Sequence, residues 1–336
     1  HYVKPLESGV LAGQAVVEVL LDLKKQGFTP DVVIAHPGWG ESLFVKDVFP
    51  HARLIHYCEW YYAVEGADAG FDPAYPLSLD DRARIRSKNA LQLLALEACD
   101  LAIAPTNWQK SRFPTEYQNK IEVIHEGIDT SQAKPDLDAR FILANGRSLT
   151  QQDPVLTYVA RNLEPYRGFP QFMRALELVQ QQHPTVQTLI VGGDEVSYGS
   201  KPKAAANWRE KMLAEVNTDP VRTHFLGRLP YQEYLKILQI SSAHVYLTYP
   251  FVLSWSLLEA MACGCSIIAS DTAPVREVIR HGENGMLVDF FDEQLIKEKI
   301  LMLLKSNKVH QNLIGFENYT INFGVQAWVG LIRNLF

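Results

Sequence analysis

Two arginines stand where they could bind a phosphorylated ligand. Arg161 and Arg167 flank a proline-containing turn that directly follows an apolar run at residues 155–160. A guanidinium suits bidentate binding of phosphate oxygens, although a pair of arginines is more often a solvated part of the surface. Because both follow a predicted strand, we expect them at the carboxyl edge of a sheet, where open α/β sheets bind ligands.

Glu259 lies near the start of a helix that the sequence predicts over residues 256–263. With Ser256 as N-cap, the spacing to Glu259 is that of a capping box, which is a structural role. The alternative is functional. The loop amides and the helix N-terminus before Glu259 favour an anion, and a carboxylate beside them can accept two hydrogen bonds from a ribose diol.

Short apolar runs alternate with segments of helical periodicity along the chain. Strands that are apolar throughout are typical of parallel sheets covered by helices on both faces, and the alternation predicts a doubly wound α/β architecture. A polar stretch at 128–152, with a predicted hairpin turn at Asn145-Gly146, separates two such sets, so we expect two Rossmann-like lobes. The predicted strands are 31–36, 52–57, 100–105, 120–127, 155–160, 188–193, 223–227, 243–248, 265–270 and 286–289, and the predicted helices are 9–26, 78–99, 169–182, 204–216, 230–240, 256–263, 292–306 and 317–335.

Composition limits the classes of function. A chain of 336 residues is long enough for two domains, and 47% hydrophobic against 21% charged residues is ordinary globular composition. Because 32 Lys and Arg face 38 Asp and Glu, the net charge is −6, and we expect no nucleic-acid partner. No apolar run approaches the ~18 residues of a membrane span. The four cysteines lack zinc-site spacing, which indicates reduced thiols in a cytosolic protein.

The start of the first lobe is unusual. A Rossmann lobe normally opens with a strand and a glycine-rich turn, whereas here a predicted helix precedes the first strand. We therefore expect that an opening strand–turn–helix unit is absent from this sequence. A GxGxxG motif is also absent, which disfavours dinucleotide binding.

Taken together, these segments resemble the retaining glycosyltransferases of family 4, which have the two-lobed GT-B fold, and within them a bacterial exopolysaccharide-type branch. The resemblance implies an acceptor-side lobe over 1–135, a donor-nucleotide lobe over 136–315, and a helix over 316–336 that crosses back onto the first lobe. The matching pieces occur in family order: Ile124–Asp129, Arg161, Arg167-Gly168, Phe225–Pro230, Glu259–Gly264, Glu277–Ile279 and Gly282–Gly285.

The resemblance implies transfer of a sugar, with retention, from a nucleotide-sugar donor to a saccharide or lipid-linked acceptor in polysaccharide synthesis. It implies a hexosyltransferase that needs neither a metal nor a cofactor, with a UDP-sugar favoured and UDP-glucose the first guess. The catalytic set by this resemblance is Arg161, Arg167, Glu259 and Glu59.

By the same resemblance, the residues of the second lobe would each bind one part of the donor. Arg161 and Arg167, with the amides around Ser254, Trp255 and Ser256, would stabilise the charge on the leaving diphosphate. Glu259 would bind the ribose. The base would meet the backbone of Gly227, Arg228 and Leu229. Because the departing phosphate takes the acceptor proton in such enzymes, we expect no strong general base.

Two departures from the family pattern keep alternatives open. Phe251 stands where the family usually has a second glutamate, and an aromatic ring cannot accept a hydrogen bond from the transferred sugar. Arg167 stands where lysine is usual, which keeps the charge and adds bulk. The alternatives are a donor-binding subunit with little activity of its own and a sugar-nucleotide epimerase on the same fold.

The candidate sugar contacts of the first lobe lie at two predicted strand ends. His56 and Glu59 belong to the segment 56–62, in which Trp60, Tyr61 and Tyr62 beside the carboxylate suit sugar stacking and hydroxyl binding. His36 ends the preceding strand. Phe251 and Leu253 complete the set of candidate sugar contacts.

A run of four cations, Arg82, Arg84, Arg86 and Lys88, begins the predicted helix 78–99. Such runs are usually solvated helix faces. The other interpretation is contact with an anionic lipid surface. We therefore expect a cytoplasmic protein, with peripheral contact at the inner face of the membrane as the alternative.

Overall fold

A computed structural model describes residues 2–306 and 316–336. Their contacts form two compact units. The first holds the chain up to Glu126 with Pro250–Val252 and Asn322–Phe336, and the second holds Gly127–Tyr249 and Leu253–Ile321. The first segment of the first unit extends to Glu126, and Ile128 pairs with Thr320 within the second unit.

The first unit is built on a parallel four-stranded sheet in the order β1-β2-β3-β4. Its strands are largely apolar, as the sequence predicts, and side chains of β2 and β4, such as Leu54 and Ile121, form a core together with Leu96 of the helix that precedes β3. Its elements are α1 (Lys4–Lys25), β1 (Val32–Ala35), α2 (Val45–Val48), β2 (Arg53–Tyr57), α3 (Leu79–Lys88), α4 (Ala90–Ala98), β3 (Leu101–Ala104), α5 (Asn107–Arg112), α6 (Thr115–Gln118) and β4 (Ile121–Val123).

The helix predicted over 78–99 is two helices, α3 and α4, which meet at Asn89. The buried Asn89 side chain accepts a hydrogen bond from Tyr62 N at 3.0 Å and donates one to Tyr62 O at 2.8 Å. This bond to a distant segment holds the chain at Asn89, so the helical periodicity continues across a break that it does not reveal.

The second unit contains a parallel six-stranded sheet in the order β12-β11-β10-β7-β8-β9. The antiparallel hairpin β5–β6 turns at Asn145-Gly146, which confirms the predicted hairpin. Its elements are β5 (Arg140–Ile142), β6 (Ser148–Thr150), β7 (Val155–Asn162), α7 (Phe169–Gln182), β8 (Gln187–Gly193), α8 (Trp208–Glu215), β9 (Thr223–Gly227), α9 (Tyr231–Gln239), β10 (Ala243–Tyr246), α10 (Trp255–Ala262), β11 (Ile267–Ser270), α11 (Ala273–Arg276), β12 (Met286–Val288) and α12 (Glu293–Lys305).

The strand order of this second sheet reverses between β7 and β10. From β7 the chain adds β8 and β9 on one side, and then returns to add β10, β11 and β12 on the other. In doubly wound sheets the connections leave a crevice outside the carboxyl ends of the two strands at such a reversal. Residues that follow β7 and β10 are therefore expected to line this crevice.

The last helix, α13 (Ile321–Arg333), belongs almost entirely to the first unit. It follows a short 3-10 turn at Phe316–Tyr319. Its apolar side chains Trp328 and Leu331 pack against Ile55 and Ile103 of the first sheet. This covers one face of β2 and β3, as parallel strands require.

None of the helices within residues 2–306 and 316–336 combines the length and the apolar character needed to cross a membrane.

Candidate functional site

Arg167 lies at the point where the second sheet reverses. β7 ends at Asn162, a 3-10 turn covers Pro165–Arg167, and Gly168 begins the turn into α7 with a φ of +66°. A Cβ at Gly168 would overlap the Leu247 side chain, so both the backbone angle and the close approach require glycine. The turn brings the Arg167 side chain across to the end of β10.

The Arg167 guanidinium is buried and held by hydroxyl groups. Its Nη1 donates to Thr248 Oγ1 at 2.7 Å and to Tyr246 Oη at 3.3 Å. Tyr246 is the last residue of β10, the strand next to β7 in the sheet, and Thr248 follows it by two residues. Arg161, near the end of β7, is exposed instead. Of the two predicted phosphate-binding arginines, Arg167 is therefore held by hydrogen bonds within the protein, and Arg161 is exposed at the surface.

Tyr246 also joins Arg167 to the start of α10. Its Oη accepts a hydrogen bond from Ser254 N at 3.0 Å, besides the one from Arg167. Ser254 is the N-cap of α10, and its Oγ accepts from Ser256 N at 3.3 Å. A guanidinium, a phenol and a helix N-terminus thus converge, which is a donor-rich environment for an anion.

The structure corrects the capping-box interpretation of Ser256 and Glu259. α10 begins at Trp255, one residue before the predicted start, because Ser254 rather than Ser256 caps it. Glu259 consequently lies in the second turn, beyond the reach of a capping carboxylate. The Ser254 and Ser256 amides donate within the protein, and the Trp255 amide makes no hydrogen bond among the residues that the structure describes.

Two tyrosines of α9 bind the Glu259 carboxylate. Tyr231 Oη donates to Oε1 at 2.9 Å, and Tyr234 Oη donates to Oε2 at 2.7 Å. Burial raises the pKa of Glu259, and the two tyrosine hydroxyls oppose that rise because they stabilise the ionised carboxylate. Each oxygen retains lone pairs, so the carboxylate can accept further hydroxyl hydrogens.

Glu164 organises the loop that follows β8. Its buried carboxylate accepts hydrogen bonds from the amides of Ser197, Tyr198 and Gly199, at 3.0 to 3.3 Å. The Tyr198 ring lies 5.5 Å from the Arg167 guanidinium carbon, within cation–π range. Glu164 thereby holds an aromatic ring over the buried arginine.

The predicted base-binding segment follows β9. Gly227 ends the strand with a φ of +65°. Arg228 donates from Nη2 to Glu195 Oε2 at 2.6 Å and to Asn162 Oδ1 at 3.1 Å, which connects it to the loop after β8 and to the end of β7. The Leu229 side chain packs against the core. All three residues lie at the same sheet edge as Arg167.

Sequence reasoning missed the groups that position Arg167 and Glu259. Tyr246 and Thr248 end the predicted strand 243–248, so the rule that ligands bind at strand ends could have found them. Tyr231 and Tyr234 lie on a helix whose other apolar residues are core, and nothing in their spacing distinguishes them. Glu164 carries a single charge next to a proline, which is weak as a signal.

In the first unit, the structure pairs His36 with Glu59. His36 Nε2 lies 3.5 Å from Glu59 Oε2, and the Glu59 side chain is half exposed. His56 is fully buried within β2, and burial lowers its pKa to about 4. This burial leaves no surface of His56 for a sugar.

Of the three predicted stacking aromatics after β2, Trp60 is interior, whereas Tyr61 and Tyr62 are partly buried. Trp60 is buried, with its ring 4.8 Å from that of Phe251 in an edge-on contact and 6.3 Å from that of Trp108. Phe251 is therefore also buried, within the first unit. Leu253 is buried in the core of the second unit beside Leu257. Neither Phe251 nor Leu253 offers an exposed face.

The basic run on α3 is largely paired. Arg84 bonds Asp80 at 2.6 Å, Arg82 bonds Glu65 at 2.7 Å, and the Lys88 ammonium lies 4.7 Å from the Tyr62 ring centre. These contacts favour the interpretation of a solvated helix face, because acidic partners on the surface cancel much of the positive charge that would attract anionic lipids. Over residues 2–306 and 316–336, no His, Cys, Asp or Glu side chains group as a metal ion would require.

Comparison with known proteins identifies the family. Residues 144–316, just over half of the chain, match the family described as glycosyl transferases group 1. The chain belongs to this family. Residues 1–133 match the glycosyl transferase family 4 group, so the matches cover both units of this family 4-type glycosyltransferase.

Among curated relatives of this glycosyltransferase is alpha-maltose-1-phosphate synthase of Mycolicibacterium smegmatis, 26% identical over 275 residues, which are 71% of this chain and 65% of that protein. D-inositol 3-phosphate glycosyltransferase of Rhodococcus jostii is 26% identical over 56% of this chain and 41% of its own length. Phosphatidyl-myo-inositol mannosyltransferase of Mycobacterium tuberculosis is 28% identical over 59% and 56%. The chain thus spans less than two thirds of the length of these relatives.

Solved structures show the fold of this glycosyltransferase. Sucrose-phosphate synthase from Thermosynechococcus elongatus superposes with a TM-score of 0.71 at 19% identity, over 96% of this chain and 78% of that one. HepE of Anabaena, in complex with UDP-glucose, superposes with a TM-score of 0.69 at 17% identity, over 96% and 83%. The two Rossmann-like units therefore have the GT-B fold.

Proposed function

We propose that this chain is a metal-independent, retaining hexosyltransferase. It would take a sugar from a nucleotide-sugar donor, a UDP-sugar and first of all UDP-glucose, and transfer it to a saccharide or lipid-linked acceptor in polysaccharide synthesis. One observation carries the proposal: the buried Arg167 guanidinium joins Thr248 and Tyr246 at the point where the second sheet reverses. The family membership supports it.

The chemistry required is stabilisation of a leaving nucleoside diphosphate. As the bond between the sugar and the phosphate breaks, negative charge grows on the diphosphate oxygens. Arg167 is preorganised because two hydroxyls fix its guanidinium, so it would need little rearrangement to bind that charge. Arg161 and the amide of Trp255 would add donors. The phosphate oxygen released would take the proton of the acceptor hydroxyl, so no side-chain base is required.

Glu259 would bind the ribose of the donor. Its two oxygens each receive one tyrosine hydrogen bond, which orients the carboxylate and helps to keep it ionised. An ionised, oriented carboxylate accepts the two hydroxyl hydrogens of a ribose diol more strongly than a neutral acceptor does. The backbone at Gly227, Arg228 and Leu229 would contact the base, and the complex of HepE with UDP-glucose supports uracil as the first choice.

Phe251 favours a second candidate function, a donor-binding subunit with little turnover. Its ring replaces a carboxylate that the family uses near the transferred sugar, and it is buried against Trp60. A chain without that carboxylate would bind the nucleotide through the second unit and transfer the sugar slowly or not at all.

The test is release of nucleotide from a panel of UDP-, GDP- and ADP-sugars, followed together with binding. The variants Arg161→Ala, Arg167→Ala and Glu259→Gln are compared with Arg140→Ala and Glu298→Gln, which change exposed residues away from the site. We expect selective release from one donor, weakened at least tenfold by the site variants and unchanged by the controls.

Three other outcomes decide between the alternatives. Binding that depends on Arg167 and Glu259, without release or transfer, would favour the donor-binding subunit. Release of an epimerised nucleotide sugar would identify an epimerase. No binding of any nucleotide sugar would exclude the whole proposal.

A further inference from the structure

Trp39 is the most exposed tryptophan of the chain, with 63% of its surface accessible. It lies in the loop after β1, at the carboxyl edge of the first sheet. One face of its indole stacks on the His36 imidazole, with ring centres 4.1 Å apart and planes inclined by 20°. Because His36 covers one face, the exposure is concentrated on the other face and the edge of the ring.

The loop that carries Trp39 is held rigidly. The Gly38 amide donates to His36 Nδ1 at 3.1 Å. Gly40, with a φ of +97°, packs so closely on α1 that a Cβ there would overlap the Gly9 backbone. The close contact between two backbones leaves the loop little freedom. An aromatic side chain that is both exposed and preorganised loses little entropy when a ligand covers it.

Polar groups lie beside the indole. Because His36 Nδ1 accepts the Gly38 hydrogen, the neutral imidazole carries its hydrogen on Nε2, which faces Glu59 Oε2 at 3.5 Å. Gln109 Nε2 donates to the Glu59 backbone oxygen at 2.7 Å, which holds the end of β2 in place. The half-exposed Glu59 carboxylate and the Trp39 indole therefore both border the His36 imidazole.

We infer that Trp39 and Glu59 form a binding site for a pyranose ring. The C–H face of the ring would stack on the exposed indole face, whose electron density attracts the slightly positive C–H hydrogens. Glu59 would accept hydroxyl hydrogens from the ring edge. Trp60, the aromatic nearest to Glu59 in sequence, cannot serve because it is buried.

This inference rests on the proposed function, since a glycosyltransferase offers two sources of such a ring, the acceptor and the sugar of the donor. The test therefore has two arms. In the first, saturation-transfer NMR measures binding of methyl α-D-glucopyranoside, methyl α-D-mannopyranoside and methyl β-D-galactopyranoside, with glucitol as an open-chain control that has hydroxyls but no ring face. In the second, the KM for nucleotide-sugar hydrolysis is measured.

Four variants separate stacking from other effects. Trp39→Ala removes the platform, Trp39→Leu keeps apolar bulk without a π face, and Trp39→Phe keeps a smaller π face. Phe28→Ala is the matched control, because Phe28 is an exposed aromatic of the same unit on another loop. Circular dichroism verifies that each variant is folded.

We expect at least one methyl glycoside to bind and glucitol not to bind. The glycoside Kd should rise at least tenfold in Trp39→Ala and Trp39→Leu, less than threefold in Trp39→Phe, and not at all in Phe28→Ala. If only the donor KM rises in Trp39→Ala and Trp39→Leu, the ring bound is that of the donor. Unchanged values for Trp39→Ala in both arms would overturn the inference.

The two proposals fail separately. Glycoside binding that depends on Trp39, in a protein that binds no nucleotide sugar, would exclude the proposed function and retain the platform. If the variants at Trp39 turn over the nucleotide sugar as the wild type does, and no glycoside binds, the proposed function is retained and the Trp39 site is excluded.

Discussion

Tyr234 donates its hydroxyl hydrogen to Glu259 across 2.7 Å, from a position in which the tyrosine itself is almost fully buried. Burial raises the pKa of both groups. Glu259 is partly buried, and a carboxylate removed from water needs hydrogen-bond donors for its charge. Of its two tyrosine donors, Tyr234 is the more deeply buried. The pair therefore links the stability of the second unit to the charge state of a candidate ribose-binding residue.

Tyr234→Phe is expected to lower the free energy of unfolding by about 1–3 kcal/mol, because the partly buried Glu259 carboxylate loses a hydrogen bond from a buried donor. Tyr231→Phe is the matched control, since Tyr231 donates to the same carboxyl but is exposed, and it should cost less. Urea unfolding of both variants measures the difference. Equal losses would contradict the role of burial.

Glu164→Gln is expected to loosen the loop after β8. A neutral amide offers one acceptor oxygen in place of two, and in either orientation its NH2 group would face the amide of Ser197, which lies within hydrogen-bond distance of both carboxylate oxygens. We expect a loss of about 1–3 kcal/mol in unfolding free energy and faster hydrogen exchange at residues 197–199.

Glu195→Gln is the control for that experiment. Glu195 lies in the same loop and pairs with Arg228, but it is exposed, so the change should stay within about 0.5 kcal/mol. Exchange at residues 197–199 that is equal in the two variants would argue against Glu164 as the anchor of the loop.

Gly168→Ala is expected to be costly for two reasons, the left-handed backbone angle and the overlap with Leu247. Gly146 also has a positive φ, of +84°, but nothing lies within 4 Å of a Cβ there. Gly146→Ala should therefore cost about 1–2 kcal/mol from backbone strain, and Gly168→Ala should cost about 1–3 kcal/mol more from overpacking. Thermal unfolding compares the two, and similar shifts would mean that Leu247 moves aside freely.

Acid is expected to destabilise the protein through its buried histidines. Burial lowers the pKa of His56, His125 and His244 from 6.5 to about 4. Between those values the unfolded chain binds a proton at each site and the folded protein does not, so stability present above pH 6.5 is lost as the pH falls toward 4. Each site contributes up to roughly 3 kcal/mol.

The measurement is the unfolding free energy of the wild type and of His244→Gln between pH 7 and pH 4.5. The advantage of the wild type over the variant should shrink as the pH falls, because glutamine does not titrate. A difference that stays constant with pH would show that His244 is not responsible.

Much of the fold could be predicted from the sequence, because it depends on local pattern. Strands that are buried on both faces must be apolar throughout, and this property locates β7 and β8 within about two residues of their observed bounds. The break at Asn89 could not be predicted, because the bond that stabilises it comes from Tyr62, far along the chain. The start of α10 was missed for a smaller reason, since two serines compete to cap it.

The candidate site divides in the same way. The sequence by itself predicted that Arg161, Arg167 and Glu259 lie at or after the ends of strands in one parallel sheet, and the structure places Arg161 at the end of β7, within the strand. Only the tertiary structure decided which side chains are fixed and which are open. Tyr246 holds Arg167, Tyr234 holds Glu259, and Trp60 is buried under Phe251 while Trp39 stays exposed. The physical reason is that burial and hydrogen-bond partners come from residues distant in sequence. The periodicity of a strand or a helix depends instead on residues that are adjacent in sequence.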